Sequence, residues 1–356
     1  MRHRLARLRR AMRENQIPAL AVLNLRNVRY LTGFTGSAGA CLVTGGGAVF
    51  ITDFRYRAQA ARQVDSAFRY AEHRGGLPGL AEEAKRLRLK SLAFEENHLS
   101  YGDYRRLRKL ARGVKLIPAP ALVEELRLEK EAPEVSLLRK GAGINGGALA
   151  EALAAIRPGV REREIALALE TAMRNLGASG PSFGTIVASG PRSALPHGVA
   201  SDRKVRRGDM ITIDFGAVVE GYHADTTRVA CLGRPSRKGE KIYNIVLEAQ
   251  MAAVGAVAPG VSAAEVDAVA RKIIQKAGYG EAFGHGTGHG VGLDIHEGPR
   301  VAPGSRDILK PGMVVTIEPG IYLPGWGGVR IEDMVLVTGK GREVLTRPIS
   351  KDLAVL

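Results

Sequence analysis

The chain has 356 residues, two cysteines, and 45% hydrophobic against 25% charged residues. That length exceeds one ordinary core and fits two domains, while the composition excludes a disordered chain and a disulfide framework. The formal charge of +16 is unevenly spread: residues 1–130 carry 25 Lys/Arg against 12 Asp/Glu, and the remainder carry 27 against 24.

In chain order, residues 1–16 read as a helix. Leu5, Leu8 and Met12 form its apolar stripe, and arginines fill the solvated face. The basic excess is therefore read as surface, and no basic–aromatic interleaving points to nucleic acid. No apolar segment with a small-residue cleavage site follows, so no export signal is read and a reducing cytoplasm is expected. The longest apolar stretches, such as Pro18 to Leu23, are too short to span a membrane. ALAVLN reads as a strand, and SAGACLVT with GAVFIT as a hairpin turning at Gly45–Gly47. RYRAQAARQV reads as a helix, SLAFEEN as a strand, and YGDYRRLRKLAR as a helix capped by Ser100. This is a small α/β layer domain. The polar, helical EELRLEKEAPEVSLLRKGAGI contains Pro133 and marks the junction, giving domains 1–128 and 129–356.

The second domain carries an internal repeat. IRPGVREREIALALETAMRNLG (156–177) matches VAPGVSAAEVDAVARKIIQKAG (257–278) at a separation of 101 residues. RRGDMITID matches KPGMVVTIE at a separation of 104, which equates Asp214 with Glu318. A slightly larger shift, 107, equates Asp225 with Glu332. Helices followed by antiparallel strands in each half make an α+β domain with a pseudo-two-fold repeat.

Asp214, Asp225, His289, Glu318 and Glu332 all lie in glycine-studded, β-rich contexts. Four carboxylates and one imidazole carry more anionic charge than one divalent ion needs, and suit two ions sharing bridging oxygens. Carboxylates held so close raise each other's pKa unless a cation lies between them. FGHGTGHGVGLDIHE adds His285 and His296 to His289, and its spacing is not that of a single-zinc HExxH site. His197 lies in the loop SALPHGVAS, and Arg330 shares a strand face with Glu332.

These segments resemble the pita-bread-fold metallopeptidases, in the Xaa-Pro peptidase branch of aminopeptidase P and prolidase. YLTGFTGSAG and TDFRYRAQA in the first domain resemble that branch's creatinase-like N-terminal domain. The resemblance implies that Asp214 chelates one metal, that Asp225 and Glu332 bridge two, and that His289 and Glu318 complete the second. It implies that Glu318 accepts the proton of an attacking water. His197 and His296 would bind substrate and the tetrahedral intermediate, His285 would be a further active-site histidine, and Arg330 would lie outside the ligands. Manganese, cobalt or zinc suits such a site, with manganese first. A homodimer acting on proline-containing peptides is implied, with no nucleic acid and no membrane. Aminopeptidase P is ranked ahead of prolidase, and Arg300 in HEGPR reads equally as a group binding a dipeptide's carboxylate or as a surface arginine. A non-catalytic binding protein and a metal-independent creatinase-like hydrolase rank below both. Trp326 either lines the pocket or packs its loop.

Overall fold

The computed structural model describes residues 1–356. It divides into two compact units, Met1–Arg127 and Leu128–Leu356.

The first unit runs α1 (Arg2–Glu14), β1 (Ala19–Val22), α2 (Leu25–Thr32), β2 (Ala40–Thr44), β3 (Ala48–Thr52), α3 (Arg57–Gln63), β4 (Arg69–Glu72), α4 (Gly76–Arg86), β5 (Ser91–Glu95), α5 (Tyr101–Leu110), β6 (Lys115–Ala119) and α6 (Leu122–Leu128). Its six strands form one sheet in the order β4-β3-β2-β1-β5-β6. The β2–β3 hairpin is antiparallel, and β4, β5 and β6 join in parallel. Ser100 Oγ accepts from the Asp103 amide and caps α5, as its residue type dictates. Leu42, Ile51, Leu80 and Leu92 are among the buried side chains of one core cluster.

The second unit opens with α7 (Ala132–Ala155), whose first turn contains Pro133, where no intrahelical donor is lost. Its first half continues with α8 (Glu162–Asn175), β7 (Gly180–Pro181), β8 (Ile186–Ser189), β9 (Met210–Phe215), β10 (Ala217–Val219), β11 (Tyr222–His223) and β12 (Thr226–Cys231). Its second half comprises α9 (Arg237–Ala256), α10 (Ala263–Lys276), β13 (Gly288–Gly290), β14 (Glu297–Val301), β15 (Val314–Ile317), β16 (Gly320–Leu323), β17 (Gly327–Arg330), β18 (Asp333–Thr338) and β19 (Gly341–Val344), with β20 (Ala354–Val355) closing the chain. The sheets run β20-β12-β9-β8 and β14-β13-β15-β18-β19, and the antiparallel trios β8-β9-β12 and β13-β15-β18 correspond.

The repeat is visible in backbone detail. Gly159 and Gly260 both adopt left-handed φ, at 91° and 85°, in the Pro-Gly turns before α8 and α10. The Gly159 amide donates to Val205 O and the Gly260 amide to Leu309 O. The acid that recurs four residues after Val160 and Val261 caps its helix in both halves. Glu164 accepts from the Arg161 amide, and Glu265 from the Ser262 amide. Two apolar cores result, one including Ile165, Leu169 and Phe215, the other including Val266, Ile274 and Ile317 together with Met210, Val229 and Cys231 from the first half.

Candidate metal centre

Asp214 is the penultimate residue of β9, and Asp225 immediately precedes β12. These strands pair antiparallel, which returns the chain to the same end of the sheet. Glu318 immediately follows β15 and Glu332 immediately precedes β18, likewise antiparallel neighbours. His289 sits in the three-residue strand β13 between two glycines. A Cβ at Gly288 would collide with the Thr316 carbonyl, and one at Gly290 with the Gly298 carbonyl. Only glycine lets β13 approach its neighbours this closely and carry the imidazole inward.

Register corrects one detail of the sequence reading. Asp214 lies opposite Thr227, whereas Ile317 lies opposite Asp333, so the next rung holds Glu318 and Glu332. If Asp214 matches Glu318, the counterpart of Glu332 is Thr227, not Asp225. Asp225 stands two residues earlier, on the same face. Thr227 Oγ1 donates to Glu332 Oε2 at 2.7 Å, so the two counterparts meet directly.

The ligand candidates converge. One ligand atom each from Asp225, His289 and Glu332 lies within 4.8 Å of the others. His289 Nε2 lies 3.7 Å from Asp225 Oδ2 and 3.3 Å from Glu318 Oε1. Asp214 Oδ2 is 2.6 Å from the Arg330 guanidinium, whose Nε lies 3.9 Å from Glu318 Oε2. The same Nε donates to Thr227 Oγ1 at 3.2 Å. Arg330 thus ties acids from both halves together.

The electrostatics fit a cation. Burial, and then the charges of Glu332 and Asp214, push Asp225 well above the usual carboxylate range. Burial, Glu318 and Asp214 do the same to Glu332. Burial also raises Asp214, against the opposing pull of Arg330. Glu318 differs: burial opposes its ionisation, but the hydrogen bond and charge of His289, with Arg330 and His285, bring it down to about 2. Three buried oxygens, Asp214 Oδ1, Asp225 Oδ1 and Glu332 Oε1, accept no hydrogen bond. A buried carboxylate oxygen without a partner costs several kcal/mol, on the order of the penalty for an uncompensated charge. Three such oxygens beside one imidazole are the donor set of a hard or borderline divalent ion. His289 Nδ1 lies 3.0 Å from Gly290 O, an assignment that leaves Nε2 as the free lone pair facing the acids.

The other histidines occupy distinct places. His296 is exposed, with its ring centroid 4.3 Å from that of His289. Burial, and then the charges of His289 and His197, lower its pKa. His197 is exposed on its loop, and the neighbouring Pro196 carbonyl accepts from Arg330 at 3.2 Å. His285 stands further back. Its Nε2 lies 2.9 Å from the Tyr322 hydroxyl, which accepts from Arg330 at 2.8 Å. Tyr322 is a link that the sequence reading missed. Its signal is positional: Gly320 pairs with Arg330, which makes Tyr322 the diagonal neighbour of the arginine. Thr227 and Thr316 were missed too. Thr316 Oγ1 accepts from the His289 amide and donates to Glu318 Oε1 at 3.3 Å.

Further residues steady the rim. Lys130 is almost wholly buried, and its Nζ lies 2.6 Å from Glu297 Oε1, beside His296. Trp326 packs its loop against the second core, with Lys238 Nζ 4.9 Å from the ring centroid. Arg300 is exposed on β14, directly opposite His289 across the β13–β14 ladder.

Two family models match the chain: metallopeptidase family M24 over residues 136–339, and the creatinase/prolidase N-terminal domain over residues 4–128. A solved Xaa-Pro dipeptidase from Bacillus anthracis is 46% identical, with a TM-score of 0.96 over 99% of both chains. A curated Xaa-Pro dipeptidase from Pyrococcus horikoshii is 40% identical over 94% of this chain and 94% of its own length. A solved X-Pro aminopeptidase from Thermotoga maritima is 41% identical, with a TM-score of 0.90 over 98% of this chain and 100% of its own.

Proposed function

The chain belongs to metallopeptidase family M24, and from that premise we propose that it is a metal-dependent Xaa-Pro dipeptidase, hydrolysing the bond between an N-terminal residue and a C-terminal proline. The sequence reading ranks the aminopeptidase first, and two observations reverse that order. Relatives named Xaa-Pro dipeptidase cover the chain almost end to end. The carrying observation is the position of Arg300. Residues directly opposite in an antiparallel ladder share a face, so its guanidinium projects on the same side as His289. A cation on that face suits the free carboxylate of a dipeptide. The aminopeptidase remains the second reading, favoured by the Thermotoga maritima relative's name.

Asp214, Asp225, His289, Glu318 and Glu332 would hold two divalent ions, manganese before cobalt or zinc. Such ions lower the pKa of water and neutralise charge that develops on the carbonyl oxygen. Glu318, in contact with His289 and Arg330, would take the proton of the attacking water. His197 and His296 are exposed, His296 with its ring against that of His289, and would present ring donors to the carbonyl oxygen as it becomes tetrahedral. Arg330 holds Asp214 and Thr227, and His285 braces Arg330 through Tyr322. The two free, buried cysteines suit a reducing cytoplasm, and no helix is long and apolar enough to cross a membrane. Homodimeric assembly rests on the family resemblance alone, and nucleic acid plays no part in this reading.

The test is a peptide-length series after chelation and manganese re-addition. Xaa-Pro dipeptides are expected to be cleaved with higher kcat/KM than Xaa-Pro-Yaa tripeptides, and Arg300→Ala is expected to raise KM for dipeptides alone. Cleavage restricted to tripeptides and longer would replace the dipeptidase with the aminopeptidase.

A further inference from the structure

The two repeat-related helices α8 and α10 each bury one carboxylate that touches no ligand candidate. Glu162 on α8 is fully buried and stands outside the metal cluster. Its Oε1 accepts from the Ser189 amide at 2.8 Å and hydroxyl at 2.7 Å. Its Oε2 accepts from Arg192 Nε at 3.0 Å, the Ser201 amide at 3.1 Å and the Ser201 hydroxyl at 2.6 Å. One carboxylate therefore grips both ends of segment 189–201, whose tip is His197. Arg192 extends the grip by donating to Val199 O at 2.6 Å.

Asp267 on α10 is also fully buried, at a position that the repeat does not equate with Glu162. Its Oδ1 accepts from the Thr287 amide at 3.0 Å and hydroxyl at 2.8 Å. Both of its oxygens pair with Arg271 at 2.8 Å, and Arg271 donates to the carbonyls of Phe283 and His285. The Thr287 carbonyl in turn accepts from the Glu318 amide at 2.7 Å. Asp267 thus fixes the segment that enters β13 with His289 and, through Thr287, the backbone of Glu318.

We propose that Glu162 and Asp267 are positioning residues with divided labour: Glu162 sets the substrate-facing loop of His197, and Asp267 sets the metal-facing His289 and Glu318. Neither role follows from the repeat, because the acids sit at different turns of their helices. Each loop has acquired its own anchor, and the anchors lead to different chemistry. Changes to groups that orient active-site side chains from behind typically cost about 10–100-fold in affinity or activity. A buried acid with only a folding role would lower stability and every function together.

The proposal rests on the reading of His197 as a substrate-binding group, and its test separates the two. Glu162→Gln and Asp267→Asn are each compared with wild type by manganese calorimetry, by kinetics on an Xaa-Pro dipeptide at saturating manganese, and by hydrogen exchange. Ser201→Ala and Thr287→Val serve as milder versions should either acid variant fold poorly. Glu162→Gln is expected to lower kcat/KM by about tenfold or more with manganese affinity unchanged, and to speed exchange in 189–201 alone. Asp267→Asn is expected to weaken manganese by about tenfold, to leave KM unchanged once metal is saturating, and to speed exchange in 283–290 alone. Parallel losses of metal, KM and protection in both variants, or no change in either, would overturn the proposal. Wild type inert on every Xaa-Pro peptide would instead sink the functional reading, while calorimetry and exchange still decide for or against the division.

Discussion

The two halves of the second unit share helices, turns and a trio of antiparallel strands, yet they do not contribute alike to the acidic centre. In the second half, Glu318 and Glu332 stand on the same rung beyond the β15–β18 ladder. In the first, the rung of Asp214 is completed by Thr227, and the second acid is Asp225, two residues upstream. A threonine therefore takes the place of a carboxylate and hydrogen-bonds its own counterpart, Glu332. The residue after each of these, Arg228 and Asp333, forms a buried ion pair on the reverse side of the strands. Arg228 also donates to the Glu332 carbonyl, so the seam between the halves is stitched on both faces. The repeat supplies a scaffold, and departures from it supply the chemistry.

Substitutions on either side of the seam test whether the halves serve one centre. Asp225→Asn and Glu332→Gln take one acid from each half. If both serve the same ions, each lowers manganese affinity by more than the roughly 100-fold seen for supporting groups, read by calorimetry; a large loss in only one would divide the halves. Asp333→Ala leaves Arg228 buried with its anion gone and is expected to cost about 3–5 kcal/mol in urea unfolding. A cost under about 1 kcal/mol would show that the seam is not electrostatic. Thr227→Val removes the hydroxyl between Arg330 and Glu332, with an expected penalty of about 1 kcal/mol. It should weaken manganese about tenfold, and unchanged affinity would make the counterpart contact incidental. The smallest effect concerns the caps. Ser262 accepts from the Ala264 amide at the start of α10, whereas Arg161 supplies no such acceptor to α8. Ser262→Ala is expected to lose about 1 kcal/mol and Arg161→Ser to gain about 0.5 kcal/mol, measured as shifts in urea midpoint.

Much of this architecture was legible in sequence because its signals are local or periodic. The Pro-Gly-Val turns, the capping acids and the strand that carries Asp214 each leave a mark within a few residues. α2, β4, α4 and β6 were not foreseen in the first unit. β4 exposes three of its four residues, and β6 buries only Ala119, so neither shows the apolar alternation of an inner strand. α4 begins at Gly76-Leu77-Pro78-Gly79, a composition that reads as a turn. At the site, the five ligand candidates stood out because acids in β-rich segments are unusual. Tyr322, Thr227 and Asp267 did not, because a tyrosine, a threonine and a helical aspartate acquire roles only through partners distant in the chain. The pairing of Asp225 with Glu332 failed by two residues for the same reason, since register belongs to the folded sheet.

Lys130 has a practical consequence for anyone dissecting the molecule. It precedes α7, so a catalytic piece trimmed to the start of that helix, or to residue 136 where the family match begins, would discard it. With it would go the amide that donates to Gly312 O and the ammonium that holds Glu297 next to His296. Glu297, with little solvent around it, would then lose that ammonium. The sensible cut lies upstream of Lys130, and a shorter fragment that folds yet handles substrate poorly would carry the signature of that missing side chain.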